Sequence, residues 1–155
     1  MRVHIGGDHA AYEMREDLRD YMTEQGHEVT DHGPVEYDEL DNYPVYVLRA
    51  AEAVAADPDA LGVVLGGSGN GEQIAANKVA GIRAALCYNS ELAELARRHN
   101  NARVISIGAR MTTQDEARQM VDTFLATEFS GEERHALRID MMTAYENDGT
   151  LPPLP

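Results

Sequence analysis

The chain has 155 residues, 43% of them hydrophobic, and a formal net charge of −14. That length suits one domain with a complete core, and that composition argues against global disorder. The negative charge repels nucleic-acid backbones and anionic membranes, so neither is expected as a partner, and a single cysteine, Cys87, excludes an internal disulfide and a cysteine-based zinc cage.

The opening MRVHIGGDHA lacks the apolar core of an export signal and reads as a strand over Val3–Gly6. The mature protein is expected to start there and to be cytoplasmic. No stretch approaches the roughly 20 apolar residues that span a bilayer. Ala11, Met14, Leu18 and Tyr21 then recur at helical spacing, and Gly26 ends that segment. A more polar strand is expected at His27–Asp31, and a second helix at Tyr43–Ala56, closed by Asp57-Pro58. Leu61–Leu65 reads as a buried strand and Gly71–Lys78 as a third helix. Ile82–Leu86 is the next strand; Cys87 follows in an apolar run, where a cysteine serves as a small buried hydrophobe. In the fourth helix Leu92, Leu95, Ala96 and His99 share a face. Val104–Ile107 is the last strand. The fifth helix presents Ala117, Met120, Val121 and Phe124, with Thr113 as its N-cap, and a sixth runs over Gly131–Asn147. Residues 1–148 are expected to form the domain and 149–155 a proline-rich tail.

Five strands alternating with helices imply a parallel sheet covered on both faces. Ligands of such sheets sit beyond the carboxyl ends of the strands. That rule selects the loops Gly6–Ala10, Gly66–Glu72 and Gly108–Thr112. His99–Asn101 falls at the opposite end, where it could face a site shared with another subunit, or lie closer if its helix is short or tilted.

Leu65-Gly66-Gly67-Ser68-Gly69-Asn70-Gly71-Glu72 follows a strand and opens a helix. Its glycines let the backbone approach a ligand, and amides at the helix start stabilise negative charge. A nucleotide loop would need lysine where Glu72 stands, and a dinucleotide fingerprint would need glycine there. Proton chemistry fits better: Glu72 removes a proton α to a carbonyl, and the amides hold the developing oxyanion. The plain alternative is a tight turn with Glu72 favouring a helix N-terminus. Asp8 and His9 suit sugar hydroxyls and a phosphate, although Asp8 could simply cap a helix. A metal reading there needs more ligands in one place. His4, His27 and His32 read as structural. His99 could exchange a proton during ring opening or merely favour a helix C-terminus. Arg134 and Arg138, four apart, share a helix face suited to phosphate, unless they pair with nearby acids. Arg110 is a third candidate and better placed.

Together GGDHAAYEMR, DNYP, LGGSGNGEQIAANKVAGIRAAL, RRHNNARVISIGAR and ERHALRID resemble the type B ribose-5-phosphate isomerases, which are grouped with galactose-6-phosphate isomerase subunits. The GGSGNGE version is similar to that of the actinobacterial branch. The resemblance implies a Rossmann-like, three-layer α/β/α sandwich with a five-stranded parallel sheet. It also implies a homodimer or a dimer of dimers with active sites between subunits. Some members use a cysteine near the start of the glycine loop as the base. That position is Gly66 here, and the resemblance passes the role to Glu72, not to Cys87. It makes Ser68 the assistant in proton movement between substrate oxygens, with the backbone of Gly67, Gly69, Asn70 and Gly71 around the enediolate. His99 and Asp8 act at ring opening and the sugar hydroxyls, and Asn100 at the sugar. His9, Arg110, Arg134 and Arg138 become phosphate ligands, some from the partner subunit. The implied reaction interconverts ribose 5-phosphate and ribulose 5-phosphate with no metal or organic cofactor. Isomerisation of a six-carbon sugar phosphate, a non-catalytic sugar-phosphate sensor and a flavodoxin-like module are the competing readings.

Overall fold

The computed structural model describes residues 1–154. Five strands form one sheet: β1 (Arg2–Gly7), β2 (Glu28–Asp31), β3 (Leu61–Gly66), β4 (Ala84–Leu86) and β5 (Val104–Gly108). Their order is β2-β1-β3-β5-β4, and every pairing is parallel. The helices are α1 (Tyr12–Glu24), α2 (Pro44–Ala56), α3 (Asn70–Ala76), α4 (Ser90–Asn100), α5 (Gln114–Ala126) and α6 (Glu133–Asp148). A 3₁₀ turn at His9–Ala11 precedes α1, with the Asp8 carboxylate accepting from the Ala10 N–H at 3.1 Å.

Alternation along the central strands makes two cores. Val3, Ile5, Val63, Leu65, Ile105 and Ile107 point to one face and pack with α1, α4 and α5. Val64 and Val104 point to the other and pack with α2 and α3. All six residues of β3 are buried, as the continuous apolar run required. This is the expected three-layer α/β/α sandwich. The chain leaves β1 towards β2 and leaves β3 towards β4, so the order reverses between β1 and β3. That crevice is where a parallel sheet opens to a ligand.

Helix boundaries follow local chemistry. Thr113 and Glu116 form a capping box at the start of α5. Asn89 caps α4 through its side chain, and Asn101 ends that helix at φ 44°. The expected face of α4 needs correction. Ala93 and Ala96 are its buried residues, Leu92 is exposed, and Leu95 is half-buried. The small alanines let α4 lie close to α5, which displaces the larger leucines towards the rim. The last helix, α6, buries only His135 and contacts α4.

Candidate active site

A cleft of about 430 Å³ lies beyond β1, β3 and β5, lined by Asp8, His9, Ala10, Tyr43, Gly67, Ser68, Gly71, Glu72, Arg110 and Met111. All three loops selected by topology contribute. Two backbone bonds join the last two: Ala109 N–H donates to Gly66 O at 2.8 Å and Arg110 N–H to Gly67 O at 3.0 Å. Beneath them the buried Ser106 hydroxyl donates to Gly69 O at 2.7 Å. The glycine loop is thus held by the neighbouring strand before it meets any ligand.

Glu72 is only 4% exposed. Its carboxylate lies directly over Gly66, so that a Cβ built there would overlap it. Glycine at position 66 is therefore a requirement of this carboxylate's placement, not merely of the turn. Gly69 adopts φ 81°, and a side chain there would also strike Leu86 at 2.6 Å. Burial pushes the Glu72 carboxyl above its ordinary range; its own N–H and that of Gly69 pull it back, while Asp8 pushes it further up. A carboxylate raised in this way accepts a carbon-bound proton more readily at neutral pH. Burial likewise raises Asp8, against the opposing Ala10 N–H.

Among the described residues, the Gly71 N–H has no acceptor, while the Gly69 N–H faces the Glu72 carboxylate. The Asn70 N–H differs: it donates to Ser68 Oγ at 3.3 Å, as does the Asn70 side-chain amide at 3.2 Å. That clamp fixes the Ser68 hydroxyl at the cleft wall and engages one of the amides expected to face the ligand. Cys87 is buried with its thiol pushed up to about 12 by desolvation, which suits a packing residue.

Asp41, to which the sequence assigned no role, completes the first loop. Its Oδ1 accepts from the His9 N–H at 2.9 Å and meets His9 Nδ1 at 2.8 Å. Only 5% of the Asp41 side chain is exposed. The contact places the proton on Nδ1 and turns Nε2 outward as an acceptor or, when protonated, a donor. The signal available was the DNYP segment, which also supplies Tyr43 to the cleft wall. Asp8, His9 and Asp41 gather their ligand atoms within 4.8 Å. The close His9–Asp41 contact is that of an oriented imidazole, its Nδ1–H directed at the carboxylate.

His99, Asn100, Arg134 and Arg138 do not line this cleft. The end of α4 reaches the amino ends of the strands, where Asn101 borders a different hollow with Met1, Ala60 and Arg103. His99 stacks on His135 with ring centroids 4.2 Å apart and planes 13° apart. Arg134 and Arg138 are exposed on α6. The chain has twelve arginines. Among the described residues Arg110, Arg134 and Arg138 alone have guanidinium groups with neither a hydrogen bond nor an ion pair; in a chain this acidic, three unpaired guanidinium groups are conspicuous anion ligands.

The model of the Ribose/Galactose Isomerase family matches residues 3–142. The chain is similar to ribose-5-phosphate isomerase B of Mycolicibacterium paratuberculosis, with 50% identity over 155 residues, covering 100% of this chain and 98% of that one. Its fold matches the solved structure of the Clostridium thermocellum ribose-5-phosphate isomerase B at a TM-score of 0.91 and 40% identity, covering 97% of this chain and 100% of that one. The Mycoplasma genitalium ribose-5-phosphate isomerase B, solved with bound ribulose-5-phosphate, matches at a TM-score of 0.91 and 35% identity over 95% and 97% of the two chains. A carboxylate buried over a glycine, in a three-loop cleft on this sheet, accords with these matches: the chain belongs to the ribose/galactose isomerase family.

Proposed function

We propose that this chain interconverts ribose 5-phosphate and ribulose 5-phosphate, with Glu72 carrying a proton between C2 and C1 through a cis-enediolate. The observation that carries the reading is the Glu72 carboxylate, buried and lying over Gly66 in a cleft shared with Ser68 and Arg110. After the furanose opens, Glu72 takes the C2 proton. The charge that develops on oxygen is met by the free Gly71 amide, by the Gly69 amide beside Glu72 and by the Ser68 hydroxyl, which passes a proton between O2 and O1. Glu72 then returns its proton to C1. Asp8 holds sugar hydroxyls, and His9, oriented by Asp41, binds phosphate together with Arg110. No metal or organic cofactor takes part in this scheme.

A second copy of the chain supplies the remaining groups: His99 for ring opening, Asn100 for the sugar, and Arg134 and Arg138 for the phosphate. Three features support that division. The groups are complementary to the cleft in chemistry yet absent from its walls, the arginines have no carboxylate partner among the described residues, and α6 exposes Leu137, Met141, Met142 and Tyr145. The sequence match to mycobacterial relatives supports the glutamate-base branch of the family.

The test is solvent deuterium incorporation at C2 of ribose 5-phosphate, with wild type and Glu72→Gln side by side. Wild type should exchange and isomerise, and Glu72→Gln should lose about a hundredfold or more of both. Binding without exchange in wild type would make the protein a sensor, and near-normal turnover in the variant would remove Glu72 from the mechanism.

A further inference from the structure

Helix α6 is amphipathic in an unusual sense. Its exposed side carries Arg134 and Arg138, and the single residue it buries is a histidine, not an aliphatic side chain. His135 lies flat against His99 on the last turn of α4. The junction is built around this pair. Ser130 N–H donates to Arg98 O at 3.0 Å, tying the chain that enters α6 to the residue before His99. Arg83 donates to the carbonyls of Asn100 and Asn101 at 2.8 and 3.1 Å, fixing the residues that follow. The backbone on both sides of His99 is therefore anchored, and the remaining freedom is rotation of the imidazole about its own side-chain torsions. A flat ring stacked on it removes that freedom.

We propose that His135 is the positioning residue for His99: its ring holds the His99 imidazole in the orientation used to open the furanose. The inference rests on the reading of His99 given above. A leucine would fill the same space but offer no flat face. Burial, and then the neighbouring imidazole, favour the neutral form of His135, so the stack forms without placing two cations in contact. Glu132 Oε2 lies 3.9 Å from His135 Nε2, at the outer edge of the ring. His135 need not touch substrate for this role.

Ring opening and proton transfer can be separated experimentally. Ribose 5-phosphate is mostly a closed furanose, whereas ribulose 5-phosphate has its C5 oxygen esterified and remains open. Isomerisation of ribose 5-phosphate therefore needs His99, while exchange of the C1 proton of ribulose 5-phosphate with deuterated water needs only Glu72 and the loop. His135→Ala should lower isomerisation about tenfold or more and leave C1 exchange within about twofold of wild type. His135→Phe keeps a flat ring and should isomerise within about threefold of wild type. Should His135→Ala not fold, His135→Leu replaces it with the same expectation. The proposal is overturned if the Ala or Leu variant isomerises at the wild-type rate, if isomerisation and exchange fall together, or if Phe is no better than Ala. His99→Asn separates the two layers. If it isomerises normally, the reading of His99 is wrong; if it loses isomerisation while His135→Ala does not, only the positioning role is wrong.

Discussion

Position 66 decides whether the Glu72 carboxylate can sit in the cleft. The Glu72 carboxylate occupies the space that any side chain at Gly66 would need. Any side chain at this position, a cysteine included, excludes a carboxylate placed in this way. Gly66→Ala should therefore displace the Glu72 carboxylate and lower turnover about a hundredfold, although the methyl group carries no chemistry. Because Gly66 ends a buried strand in ordinary extended backbone, the protein should remain folded, so circular dichroism close to wild type alongside the lost rate is the expected pair of results. An active Gly66→Ala enzyme would mean that the carboxylate works from some other position. Asp41 makes the complementary point about neighbours. It orients His9 across 32 positions of sequence, a relation that no local periodicity encodes. Glycine spacing made Glu72 legible in the sequence; the irregular DNYP segment offered no pattern that would attach its aspartate to the first loop.

At the scale of elements, legibility followed burial. The strands of the sheet's interior and the fifth helix were readable because a continuous apolar run and a four-residue face each have one physical explanation. The fourth helix was misread because hydrophobicity favours Leu92, whereas the packing surface favours Ala93 and Ala96. Close approach of two helices rewards small side chains, which hydrophobic periodicity undervalues. Thr113 tests the capping logic directly. Its hydroxyl accepts from Glu116 N–H, and the Glu116 carboxylate accepts from Thr113 N–H at 2.8 Å, which also holds that carboxyl below its ordinary range. Thr113→Ala should cost about 1 kcal/mol in urea unfolding. It should leave turnover nearly unchanged, because α5 supports the sheet from the face away from Gly66. A larger loss of activity than of stability would mean that the start of α5 also shapes the cleft.

For the molecule as a whole, acid is the revealing variable. His4 Nδ1 and His32 Nε2 are 3.0 Å apart, so one nitrogen must accept while the other donates, and double protonation would set two N–H groups against each other. Burial lowers both histidines below the ordinary imidazole value, and His27 is lowered as well. The folded state therefore binds fewer protons than the unfolded state just below pH 6.5. The stability that these neutral rings contribute is present above that pH and is lost as pH falls towards their folded pKa values. Glu72 and Asp8 act in the opposite sense, since their raised values relieve a cost of burial on acidification. The melting temperature should thus fall between pH 7 and pH 5, and His32→Gln should flatten that decline; an unchanged slope would remove the pair from the acid response. The same whole-molecule view bears on why four of the expected site residues, His99, Asn100, Arg134 and Arg138, lie away from the cleft. If a second copy supplies His99, then Glu72→Gln and His99→Asn each disable every site of their own homodimer. In a mixed dimer, however, one of the two sites receives Glu72 from one chain and His99 from the other, both intact. Mixing the two inactive proteins under conditions that exchange subunits should restore activity, approaching a quarter of wild type when half of the dimers are mixed and one of their two sites is whole. Continued inactivity, with exchange verified by mass-tagged chains, would mean that His99 acts within its own chain and that the fold must bring α4 to the cleft by some other route.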